Sequence, residues 1–129
     1  MSEKSIFISY SHRDLDRDWV AAFANALKDR NLNIWLDEWN LKPGDQIVEA
    51  VESALRASDA IVAVVSGEGF DNPNVYFELG VALGAGKRLI LVVDPEASTR
   101  IPFDLRLRKW IPLRDPEETA RVVADAVTE

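Results

Sequence analysis

The chain of 129 residues contains no cysteine. That removes disulfides, thiolate metal sites and cysteine nucleophiles from consideration, and it suits a reducing cytoplasm. Histidine occurs once, as His12, so a mechanism that needs two imidazoles is excluded. Basic residues are outnumbered, 15 against 22 acids, for a net charge of −7. A duplex-binding module would carry a basic face. The densest basic run, Arg106 to Lys109, is short and reads as the solvated start of a strand, so no nucleic-acid partner is expected. No apolar stretch approaches the ~20 residues of a membrane span. The opening Met1-Ser2-Glu3-Lys4 lacks the apolar run of a signal peptide. The expectation is a cytoplasmic protein without a membrane partner. Glycine-rich phosphate loops are missing after the first apolar run, and Ser66-Gly67 lacks the flanks of a serine elbow. Asp37 and Glu38 are adjacent rather than spaced as metal ligands, so no metal and no resident cofactor is expected.

What is present is an alternation of strand-like and helical segments without linker or repeat, read as one domain over residues 1–129. Hydrophobic residues make up 47% and charged residues 29%, enough apolar material for a core. Ser5 to Tyr10 is a β-branched and aromatic run, a first strand. Trp19, Val20, Phe23, Ala26 and Leu27 recur near the helical period after Asp14, a natural cap, and Asn31 ends that helix. Asn33 to Leu36 reads as a second strand. Pro43-Gly44 marks a turn, and Asp45 caps a second helix with Ile47, Val51, Ala54 and Leu55 inward.

Ala60–Val65 and Leu89–Val93 are continuous apolar runs, as expected of central parallel strands covered on both faces. Between them, Asn72-Pro73 starts a helix through Val75, Leu79 and Leu83 that Gly84 or Gly86 ends. Lys109 to Pro112 reads as an edge strand, because proline is tolerated there. Asp115-Pro116-Glu117-Glu118 is a capping box opening a last helix with Ala120, Val123, Ala124 and Val127 buried. These elements predict an α/β, flavodoxin-like, doubly wound five-stranded parallel sheet of order 2-1-3-4-5 with helices on both faces.

In such a sheet the ligand crevice opens at the carboxyl ends of the strands, where the winding reverses. Connectivity offers it Tyr10 to Arg13, Asp37 to Leu41 and Ser66 to Glu78. Glu78 stands out among the apolar neighbours Val75, Phe77, Leu79 and Val81. Helical side chains lean toward the N-terminus, which aims this carboxylate back over the first turn and the crevice. A carboxylate there can bind ribose hydroxyls and stabilise the oxocarbenium-like state of glycosidic cleavage. The ordinary alternative is a solvent-facing glutamate paired with a nearby base.

Three segments resemble the TIR (Toll/interleukin-1 receptor-like) family in its bacterial form, and together they span nearly the whole chain. Ile6 to Ser11 is similar to the family's opening strand and first box. Trp35 to Asp45 is similar to its second strand and the loop with a proline-glycine turn. Asn74 to Gly80 resembles the helix start holding the glutamate of NAD-cleaving members. The resemblance implies cleavage of the nicotinamide–ribose bond of NAD, taken as substrate, by hydrolysis or cyclisation. It implies self-association or filament-like assembly with other TIR domains, a sensor domain or protein upstream, and a part in anti-phage defence.

By the same resemblance Glu78 is catalytic. Tyr10, Ser11, His12, Asp37, Trp39 and Asn74 lie at the substrate, and Leu41, Pro43 and Gly44 belong to a closing loop. The chain departs from the family at Asn74, where enzymatic members often carry an aromatic residue that stacks on a base. Trp39, Phe70 and Tyr76 are the candidates to replace it. Two other readings stand beside this one: a non-enzymatic TIR–TIR interaction module, and an enzyme similar to nucleoside 2-deoxyribosyltransferases, whose glutamate segment Asn72 to Gly80 also resembles.

Overall fold

A computed structural model describes residues 4–10, 17–36, 44, 47–65, 86–95 and 110–128. Five strands, β1 (Ser5–Tyr10), β2 (Asn33–Trp35), β3 (Ala60–Val65), β4 (Arg88–Val93) and β5 (Ile111–Pro112), form one sheet in the order β2-β1-β3-β4-β5. Every pairing is parallel, with Phe7 beside both Trp35 and Ile61, and Val62 beside Ile90. The expected doubly wound architecture and strand order are what the chain adopts.

Among the described residues three helices cover it: α1 (Arg17–Lys28), α2 (Ile47–Ala57) and α3 (Pro116–Thr128). Side chains along a strand alternate between faces, and that parity sorts the core in two. Ile6, Ile8, Val62, Val64, Ile90 and Val92 share one cluster with Val20, Phe23 and Leu27 of α1 and with Ala120, Val123 and Val127 of α3. Phe7, Ile61, Ala63, Leu89, Leu91 and Val93 pack on the opposite face against Val51 and Leu55 of α2. Both faces are roofed, so β3 and the Leu89–Val93 part of β4 are apolar without interruption.

The helix ends follow local chemistry. After α1 the amides of Arg30 and Asn31 donate to the carbonyls of Leu27 and Lys28, both at 3.0 Å. Asn31 adopts φ 65°, a left-handed position that asparagine tolerates, and the helix stops there. At the start of α3 the Glu118 amide donates to Asp115 Oδ1 at 3.0 Å, and Pro116 takes the first helical position, where no amide is needed. The C-terminus of α2 is closed by Ser58, whose hydroxyl donates to the Ala54 carbonyl at 2.6 Å, and by the Lys87 ammonium on the Arg56 carbonyl at 2.7 Å.

Some boundaries moved. Leu36 lies outside β2 yet is fully buried in the α1-side cluster, so burial continues one residue beyond the pairing. β5 is only Ile111–Pro112, paired with Val92 and Val93. Trp110, expected within that strand, packs instead against the α2-side cluster. Trp19 is only partly buried in the α1 stripe because its indole N–H reaches out to the Arg114 carbonyl, at 3.0 Å. Its ring stacks on Phe23 with centroids 5.1 Å apart. The caps expected at Asp14 and Asp45, and the helix expected after Asn72-Pro73, lie outside the described residues. None of the described helices is long and apolar enough to cross a membrane.

Candidate active site

The winding reverses at β1: the chain passes from β1 to β2 on one side, while β3, β4 and β5 follow on the other. At the carboxyl ends the register pairs Tyr10 with Val64, so β1 and β3 finish side by side. Doubly wound sheets bind ligands at this carboxyl edge, where the winding reverses. In chain order Ser11 and His12 follow Tyr10 directly. Glu78 belongs to the 66–85 stretch that leaves β3, and Asp37 follows the buried Leu36 after β2.

Two of the expected site residues are described. Tyr10, 5% exposed, ends β1 with its ring in the α1-side cluster, on the face of Ile6 and Ile8. That location gives the ring a packing role at the strand end. Gly44 is exposed, at φ +93°, a conformation that side-chain-bearing residues rarely adopt. A Cβ there would meet nothing within 4 Å, so glycine serves backbone freedom and not space. The positive angle directly after Pro43 fits the turn expected from this dipeptide. Ser11, His12, Asp37, Trp39, Leu41, Pro43, Asn74 and Glu78 lie outside the described residues, as do Phe70 and Tyr76.

Two polar residues at the same edge escaped the sequence reading. Ser9 is 2% exposed in the carboxyl half of β1, and Asp94, half-buried, directly follows β4. Ser9 gave no signal because a small hydroxyl inside an apolar run looks like strand filler. Asp94 precedes Pro95 and reads as an ordinary turn acid. Among the described residues no three His, Asp or Glu side chains converge as a metal site.

Two cavities bounded by described residues lie away from this edge. One, of about 220 Å³, sits at the amino ends of β1 and β2 beside Ala54 and Ser58 of α2. The other, of about 430 Å³, borders the amino half of β4 and α3.

The TIR domain family matches residues 6–124. The chain belongs to the TIR domain family. Its fold is that of the TIR domain of a Toll-related receptor from Hydra magnipapillata, with a TM-score of 0.80 at 19% identity, covering 96% of this chain and 98% of that one. A 2' cyclic ADP-D-ribose synthase from Acinetobacter baumannii is 36% identical over 64 residues, 50% of this TIR chain and 23% of the relative. An NAD(+) hydrolase from Paracoccus denitrificans is 33% identical over 61 residues, 47% of this chain and 20% of the relative. The matched stretches thus span about a quarter or less of these two curated relatives.

Proposed function

We propose that this TIR domain cleaves the nicotinamide–ribose bond of NAD, with Glu78 as its catalytic carboxylate. The family match over residues 6–124 carries the reading, and the NAD-directed names of the bacterial relatives support it. The switch point between β1 and β3, with the Glu78-bearing stretch following β3 in the chain, supports it too. The chemistry asks little of the protein. The C1′–N bond breaks, its electron pair returns to the pyridinium nitrogen, and neutral nicotinamide leaves. Positive charge then grows on C1′ and the ring oxygen, and a carboxylate against the ribose stabilises it.

Water adding to C1′ and releasing a proton to solvent completes hydrolysis. A hydroxyl of the same ADP-ribose adding in its place completes cyclisation. Ser11 and His12 contact the ribose or phosphates, and Trp39, Phe70 or Tyr76 stacks on a base in place of the aromatic residue missing at Asn74. The loop through Leu41, Pro43 and Gly44 closes the pocket, supplied by a neighbouring copy, so that self-assembly switches the enzyme on. Anti-phage defence is the proposed setting.

The test is product analysis after mixing NAD with the purified protein, free and fused to an oligomerising partner. Clustered wild type releases nicotinamide, and Glu78→Ala with an unchanged far-ultraviolet spectrum does not. Equal release from the two clustered proteins refutes the role of Glu78. The departure at Asn74 favours one second reading, an interaction module that recruits other TIR domains without turnover. Loss of partner binding on Pro43→Ala, with no nicotinamide released under any clustering, would select it.

A further inference from the structure

The cavity of about 430 Å³ beside β4 has a structural cause. β5 pairs only with Val92 and Val93, so on the side of β4 away from β3 no described strand lies beside Arg88, Leu89 and Ile90. Leu89 and Ile90 belong to opposite faces of the sheet, yet both line the cavity. The hollow therefore wraps the open strand edge. Trp110, half-buried, lines it where the chain approaches β5, and Arg121 and Asp125 line it from α3.

Its chemistry differs from that of the molecule as a whole. The chain carries a net charge of −7, yet among the described residues this hollow is lined by two arginines and one aspartate. Arg121 engages Asp125 only at 3.8 Å, with both side chains more than half exposed, and such a pair yields readily to a better acceptor. A guanidinium presents a flat fork that matches phosphate or carboxylate oxygens. An indole offers a flat apolar face to a ring. Ligand cavities run from about 300 to 1,000 Å³ with a few polar groups fixing orientation, and this one falls within that range.

We propose that this cavity is a second ligand site, which takes a small aromatic anion: a planar ring against Trp110 and the apolar β4 edge, and a phosphate or carboxylate between Arg88 and Arg121. The site lies at the amino half of β4, whereas the switch point is at the carboxyl ends of β1 and β3. It is independent of the reading of Glu78.

The test titrates the full chain with four probes while following the Trp110 indole N–H and the Leu89 and Ile90 methyl signals by nuclear magnetic resonance. AMP joins a ring to a phosphate, and indole-3-acetate joins a ring to a carboxylate. Adenosine lacks the anion, and inorganic phosphate lacks the ring. Saturable shifts at about millimolar concentration or tighter are expected for at least one of the first two, and at least tenfold weaker binding for adenosine and phosphate. Preference between AMP and indole-3-acetate identifies the anion. Arg88→Gln and Arg121→Gln each weaken binding about tenfold, since each removes one anchoring fork.

Both arginines are solvent-exposed, so these variants fold; Glu78→Ala binds as wild type does, which separates this site from the proposed catalytic one. The proposal is overturned if neither AMP nor indole-3-acetate moves the three signals. It is equally overturned if binding survives both arginine substitutions unchanged, or if phosphate alone binds as well as AMP. Shifts that follow protein concentration instead of probe would assign the face to a second copy of the chain and also overturn it.

Discussion

Replacing Thr119 by valine tests the junction between β5 and α3. Thr119 is 1% exposed, and its hydroxyl accepts the Arg114 amide at 3.0 Å. The carbonyl of the same Arg114 accepts the Trp19 indole N–H at 3.0 Å, so one residue is held from α3 on one side and from α1 on the other. Valine keeps the shape and nearly the helix propensity of threonine but removes the acceptor. A net hydrogen bond contributes about 0.5–1.5 kcal/mol, and a stranded, partly buried amide adds to that, so Thr119→Val costs about 1–2 kcal/mol. Alanine also deletes buried carbon, worth about 0.8 kcal/mol per methylene-sized group, so Thr119→Ala costs more than valine does. For a domain of this size 1 kcal/mol corresponds to about 4 °C in Tm. Urea unfolding and thermal melts of wild type, valine and alanine variants give the ordering. A valine variant within about 0.3 kcal/mol of wild type, or more stable, would show that only packing matters there and refute the reasoning.

Other substitutions probe different links. Asp115→Ala removes the oxygen that accepts the Glu118 amide and lowers stability by about 1 kcal/mol in urea titrations, and Asp115→Asn restores most of it. Gly44→Ala costs about 1 kcal/mol through its positive φ alone, because the added methyl meets no neighbour; a melt unchanged from wild type would refute the strain argument. Leu27→Ala empties a fully buried position between α1 and the sheet and costs about 2–5 kcal/mol by equilibrium denaturation.

The sheet was largely legible. Ser5–Tyr10 matches its β-branched and aromatic run, and Ala60–Val65 matches its apolar run because a strand roofed on both faces leaves no polar residue to blur its ends. β4 begins one residue early, at the charged Arg88, since strand pairing is a backbone property and Arg88 registers with Ala60. Ala24 is fully buried though absent from the expected α1 stripe, because α3 widens the covered face. β5 was overestimated: Trp110 has β propensity, but packing under the sheet edge holds it out of register. Of the expected site, the turn at Gly44 was legible from Pro43-Gly44, whereas Tyr10 was assigned from its place at a strand end without regard to parity. Alternation with Ile6 and Ile8 puts its ring in the core. The cavity beside β4 left no trace in the sequence, because Arg88, Trp110 and Arg121 meet only through the fold.

The packing of α3 on α1 bears on how the chain matures. One side of the sheet, with the stripe of Val20, Phe23 and Leu27, is closed by Ala120, Val123 and Val127. During synthesis those three partners emerge after almost everything they cover. The emerging domain therefore carries a greasy, half-built layer that locks only when α3 clears the ribosome. The Trp19 to Arg114 bond bridges 95 positions, a separation typical of slow collapse into the native form. Deleting α3 would consequently expose sticky surface rather than trim an accessory.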